Sequence, residues 1–167
     1  GIIALSACLA GEVARYMTIQ QYEEAKKAAL RYENIFGKGN FFLELQDHGL
    51  PDQKYVNPQL VRMSGELGIE LVCTNDSHYI MADDAEAHDI LLCIQTGKKV
   101  SDENRMRYTG GQYYLKSPEE MAELFPQQGG QKVIELLQWL MKGCRVVGIS
   151  GMQGCGKTTL LMALVGS

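Results

Sequence analysis

Three short apolar runs, IIALS (2–6), FFLEL (41–45) and IELVCT (69–74), recur along the first half of the chain, and stretches with helical spacing separate them. Strand-length runs alternating with helices are the pattern of βαβ units. Such strands lie parallel, because each helical crossover returns the chain to the same end of the sheet. The alternation therefore predicts an α/β fold with a mainly parallel sheet. In sheets of this kind ligands gather beyond the C-terminal ends of the strands. Cys8, just after the first run, and the NDSH stretch (75–78), just after the third, both fall there.

The helical stretches carry their own punctuation. Thr18, with Gln21 three residues later, reads as a capping box for a helix through YEEAKKAALRYENIF that stops at Gly37. QDHGLPDQ reads as a loop, followed by a helix, kinked or restarted at Pro58, that runs to Gly68. Asp83 and Asp84 open AEAHDILLCIQTG, where acidic side chains meet the positive end of a helix. QYYLK reads as a strand, and Ser117, Pro118 and Glu120 open the helix PEEMAELF. Capping and the helix dipole account for the Asp83/Asp84 and Glu119/Glu120 pairs without any catalytic role.

The five cysteines include no C-x-x-C pair, and Cys73 and Cys93 lie in apolar runs that suit small core residues. No disulfide is expected in a reducing compartment. There is no apolar run long enough to span a bilayer and no signal peptide, so a cytoplasmic protein without a membrane partner is expected. Net charge is −4, but Lys132, Lys142, Arg145 and Lys157 stand against Glu135 alone after residue 126. The acidity thus sits in residues 1–126, which makes that part a poor non-specific partner for DNA.

The Pro/Gly/Gln stretch at 127–131 reads as a linker between a segment 1–126 and a segment 132–167. The second segment reads as helix, strand, loop and helix, and its loop spells G-x-x-x-x-G-K-T. Gly151, Gly154 and Gly156 would let backbone N–H groups turn toward phosphate oxygens. Lys157 would reach the β- and γ-phosphates, and the Thr158 hydroxyl would bind Mg²⁺, so Mg-ATP or Mg-GTP is the expected ligand. Hydrolysis would also need an acidic strand and a surrounding sheet, which the sequence does not show.

Asp76 and His78 form a D-x-H pair in a loop after a strand. Carboxylate and imidazole suit zinc or manganese, and Cys8 would add a thiolate if its strand lies nearby. The plainer alternative is a capping Asp76 and a surface His78. His48, beside Gly49, reads as a turn residue, and His88 as a structural helix residue.

Five stretches, IALSACLAGEVAR, FFLELQDHG, TNDSHY, DAEAHDILLCIQTGK and YLKSPEEMAELFP, resemble in this order the alpha subunits of bacterial DNA polymerase III. The resemblance covers about residues 1–126. It corresponds to the later half of an N-terminal polymerase-and-histidinol-phosphatase (PHP) domain and its run-out toward the palm. It implies an incomplete α/β barrel of metallophosphoesterase type, in which Cys8, Asp76 and His78 match metal ligands. It also implies a role in DNA replication, with DNA and replisome subunits as the parent's partners, and 3′–5′ exonuclease ancestry. The family's earlier ligand motifs would lie before Gly1 and its polymerase carboxylates beyond the divergence, so the chain alone is expected to be inactive. RVVGISGMQGCGKTTLL resembles P-loop NTPases. A nucleotide-binding module and a non-catalytic scaffold are the alternatives.

Overall fold

The computed structural model describes residues 2–126. The linker 127–131 and the segment 132–167, with its phosphate-loop reading, lie outside the described residues. The element order is β1 (Ala4–Leu5), α1 (Glu12–Thr18), α2 (Tyr22–Phe36), β2 (Phe41–Leu45), α3 (Pro51–Leu67), β3 (Leu71–Cys73), a 3₁₀ turn (Ala82–Asp84), α4 (Ala85–Thr96) and α5 (Pro118–Leu124). The three strands form one parallel sheet in the order β1-β2-β3, as the alternation predicts. Barrel closure is not seen among the described residues. None of the described helices is long and apolar enough to cross a membrane.

Strand periodicity divides β2 between two apolar groups. Phe41, Leu43 and Leu45 point into the main core, and Phe42 joins Ile3 and Val72 in a smaller one. The main core is closed by helical residues at three- and four-residue spacing. These are Val13, Ala14 and Met17 of α1, Ala25, Ala28 and Ala29 of α2, and Val56, Leu60 and Met63 of α3. The alanines of α2 let it lie close, and Tyr32 stacks on Phe41 with ring centroids 5.5 Å apart. Met121 and Phe125 join the same core from α5 and the residue after it. Cys73 and Cys93 are buried, as expected, and burial pushes the Cys73 thiol up to about 12.

Several local expectations are corrected. Thr18 does not cap α2. It is the last residue of α1, a helix the sequence reading missed, and its hydroxyl donates to the Arg15 carbonyl at 2.8 Å. Gln21 is the N-cap residue of α2 and makes no side-chain cap. The loop after β2 is shorter than expected, because Pro51 already begins α3, and α3 runs on through an exposed Pro58 to Gly68. Proline is well placed at the first helical position, where its missing N–H has no helical partner to lose. Gly68 ends the helix with φ 71°, a left-handed conformation that costs glycine little. The QYYLK strand shrinks to a single parallel bridge, Tyr79 to Tyr114. The Ser117 capping box is as read: Glu120 N–H donates to Ser117 Oγ, and Ser117 N–H donates to Glu120 Oε2.

His48 is no turn residue. It is 6% exposed and ties the loop after β2 to α3 and to the loop after β3. Its Nε2–H donates to the Asn75 carbonyl at 2.8 Å, while Nδ1 accepts from Gln53 Nε2 at 3.0 Å, and its own N–H donates to Gln53 Oε1. The ring lies flat on Tyr113, with centroids 4.1 Å apart and 7° between planes. Arg105 grips Asp89 of α4 with both terminal nitrogens at 2.6 Å. Arg105 belongs to a stretch from Gly97 to Gln112 that forms neither helix nor strand.

Two consequences are measurable. Leu43 is fully buried in the central strand, so Leu43→Ala removes contacts on every side. The variant is expected to lose about 3 kcal/mol, read as a lower urea midpoint. Burial holds the His48 imidazole below its usual range, against the opposing pull of the Asn75 carbonyl and Asp76. A depressed base contributes stability that is fully present above its unfolded value, about 6.5, and lost as pH falls from there through the folded value. Unfolding midpoints measured from pH 8 to pH 5 should therefore fall with acid. His48→Gln should flatten that dependence, and an unchanged slope would show that another group is responsible.

Candidate functional site

The site is built where the parallel strands end. Beyond β1 the chain turns sharply: Ala7 is left-handed at φ 65°, and the Gly11 N–H donates to the Cys8 carbonyl at 2.8 Å. A Cβ on Gly11 would lie 2.3 Å from the Ser6 carbonyl oxygen, so only glycine closes this turn. The turn fixes Cys8 between β1 and α1, half-buried beside a small cavity. That cavity, about 10 Å³, is lined by Ala7, Cys8, Glu44, Gln46, Gln53 and Asn57, among others.

Beyond β3 a second loop carries Asp76 and His78. Asn75 anchors it by donating from Nδ2 to the carbonyls of Gln112 and Tyr114, at 2.9 and 2.7 Å. Asp76 takes a left-handed backbone, φ 44°, which aspartate tolerates better than most residues. This turns its carbonyl onto His78 Nδ1 at 2.6 Å. A carbonyl only accepts, so Nδ1 carries the proton and Nε2 keeps its lone pair. That Nε2 is buried with no hydrogen-bond partner. Leaving a buried acceptor unmet costs about 1–3 kcal/mol. A backbone carbonyl on one imidazole nitrogen and an open lone pair on the other is the usual arrangement of a metal-binding histidine.

Aromatic rings wall the loop. His78 packs against Tyr108 at 4.4 Å, His88 at 5.6 Å and the edge of Tyr113 at 5.7 Å between centroids. Burial and the neighbouring His78 push the His88 imidazole below its usual range. His88 is thus a helix residue in an aromatic cluster, as its sequence context suggests.

The structure therefore brings Asp76 and His78 together in one loop. Cys8 lies at the end of β1, with β2 between it and that loop. Two strand spacings separate β1 from β3, about 10 Å of sheet. Among the described residues no three His, Cys, Asp or Glu groups converge closely enough to hold a metal ion. Gly151, Gly154, Gly156, Lys157 and Thr158 lie outside the described residues.

The residue the sequence reading passed over is Glu44, on the strand between the two loops. It is 8% exposed. Its Oε1 accepts from Thr74 Oγ1 at 2.5 Å and from Gln46 Nε2 at 3.1 Å, and its Oε2 is buried without a partner. Burial pushes its carboxyl above the usual range, and Asp76 adds to this, while hydrogen bonds from Thr74, Gln46 and the Ala7 backbone pull the other way. The signal was present in the sequence: a lone carboxylate inside FFLEL, near the C-terminal end of a parallel strand.

Comparison with known proteins adds a lineage to this geometry. A PHP domain family model matches residues 1–48. The DNA polymerase III subunit alpha of Saccharopolyspora erythraea is 49% identical over 128 residues, 77% of this chain and 11% of the relative. That of Borreliella burgdorferi is 48% identical over 125 residues, 75% of the chain and 11% of the relative. That of Deinococcus radiodurans is 41% identical over 147 residues, 87% of the chain and again 11% of the relative. The chain thus spans about a ninth of the length of the curated relatives it matches. At least three quarters of the chain is homologous to one segment of the bacterial DNA polymerase III alpha subunit, and its first 48 residues match a PHP domain.

Proposed function

We propose that this chain is the PHP-domain portion of a bacterial replicative polymerase subunit and carries part of a divalent-metal centre of phosphodiester-cleaving ancestry. The single observation that carries the reading is His78, whose buried Nε2 lone pair is unmet while Nδ1 is fixed on the Asp76 carbonyl. Asp76 and His78 would hold the ion, while Cys8, the third residue that matches the family's ligands, stands at the end of β1 with β2 between it and that loop. Zinc and manganese both suit carboxylate and imidazole donors. When bound, such an ion supplies Lewis acidity to a phosphoryl oxygen and lowers the pKa of a water. The chain's own residues position and shield. The Asp76 carbonyl fixes the His78 tautomer, the Asn75 amide clamps the loop, and Tyr108, Tyr113 and His88 hold water back from the imidazole. Polymerisation, DNA contacts and replisome partners belong to the parent subunit in this reading, with the cytoplasm as its compartment.

The test is metal content. The purified chain, dialysed against zinc or manganese at low micromolar concentration, should retain the ion stoichiometrically by mass spectrometry. Asp76→Ala and His78→Ala should each lower retention at least tenfold. A parent without metal, or variants that retain as much as the parent, would overturn the reading.

The motif GMQGCGKTT favours a second, separate reading, a Mg-ATP or Mg-GTP site at Gly151, Gly154, Gly156, Lys157 and Thr158. Calorimetry with Mg-ATP should then show binding that Lys157→Ala abolishes. Absent heat in the parent, or equal heat in the variant, rejects it.

A further inference from the structure

We propose that the outward side of α4 is the contact surface between two copies of this chain, which associate with their α4 helices antiparallel about a twofold axis.

Helix α4 is apolar on both its inward and its outward side. Leu92 and Cys93 point into the protein and are buried. The opposite side carries Ala87, Ile90, Leu91 and Ile94, related by spacings of three and four residues, and all four are exposed. Ile94 is 72% exposed and Leu91 61%. Helix α2, by contrast, turns Glu23, Glu24 and Lys27 to solvent. A helix that is apolar on opposite sides is one that packs on both. Ile80 and Met81, just before α4, are exposed as well. Exposed apolar side chains clustered in this way mark an interaction surface.

The charges at the two ends of α4 select the occupant. Asp83 and Glu86 are exposed at its N-terminal end, and Lys98 and Lys99 just past its C-terminal end. None of the four belongs to an ion pair among the described residues. A second copy laid antiparallel brings its basic end to this acidic end, and its acidic end to this basic one. A parallel copy would set like charges together. The register follows from the length of the helix. Residues 85–96 have their midpoint between Ile90 and Leu91, so a twofold axis through that point relates the two helices. Asp83 stands seven residues before Ile90, and Lys98 seven after Leu91, so Asp83 of each copy comes opposite Lys98 of the other. The antiparallel arrangement also sets the positive end of each helix dipole beside the negative end of the other. An interface in which both copies use the same patch is the commonest kind in homo-oligomers. A helix about 18 Å long makes a small contact, so the association is weak and depends on concentration.

Sedimentation equilibrium of the full chain from about 5 to about 300 micromolar should show the mean mass rising toward twice that of one chain. Ile94→Glu puts a charge on the apolar side and should weaken association at least about tenfold, with an unchanged circular dichroism spectrum. If that variant does not fold, Leu91→Glu makes the same test. Asp83→Lys should weaken association at least about threefold, and adding Lys98→Asp to it should restore the parent's dissociation constant. A parent that stays monomeric at every concentration overturns the proposal and leaves the face to a segment of a longer subunit. Association that survives Ile94→Glu overturns it in favour of another surface. A charge reversal that has no effect, or that the second reversal does not rescue, overturns the antiparallel pairing and the proposal with it.

Discussion

Every candidate ligand in this chain owes its place to the parallel pairing of β2 with both neighbours. Leu43, Glu44 and Leu45 are in register with Leu71, Val72 and Cys73, while Phe41 and Phe42 are in register with Ala4 and Leu5. Because all three strands point the same way, the turn after β1, the end of β2 and the loop after β3 emerge at one edge of the sheet. Residues separated by as many as seventy positions in sequence are thereby gathered without any direct attraction between them. The apolar side chains on the buried faces make that pairing stable, and the polar groups at the strand ends are carried along with it.

The strand–helix alternation and the parallel sheet were legible in the sequence because they depend on periodicity, a property of many residues at once. FFLEL was readable to the residue, since each of its positions is buried and nothing polar but Glu44 interrupts it. Helix α1 was not legible. Its seven residues are too few for a periodic signal, and its form depends on packing Val13, Ala14 and Met17 beneath α2. Thr18 misled for a related reason: a threonine near a boundary suits either end of a helix, and only the neighbouring helix decides which.

The site was legible in its residue types and less so in its distances. Spacing marked Asp76 and His78 as candidates, but it could not reveal that the Asp76 backbone carbonyl, rather than its side chain, sets the His78 tautomer. His48 looked like a turn residue because it precedes a glycine. In three dimensions it is a buried bridge whose two ring nitrogens are both committed, and that leaves it no lone pair for an ion. Glu44 was hidden by the strand around it. A carboxylate in an apolar run looks like an outward-facing position of a half-exposed strand until the sheet shows both faces covered.

The Arg105–Asp89 fork ties the stretch 97–112, which has no helix or strand of its own, back to α4. Loop closure of this kind is an entropic matter, and here a few oriented N–H groups settle it. Tyr108, the ring nearest His78, follows Arg105 by three residues in that stretch. The wall beside the imidazole is therefore fastened from a distance, like a door whose latch is on the far jamb. The Arg105 side chain is buried and Asp89 only part-exposed, so dissolved ions screen this pair weakly and the fastening of that wall is largely independent of the salt around it.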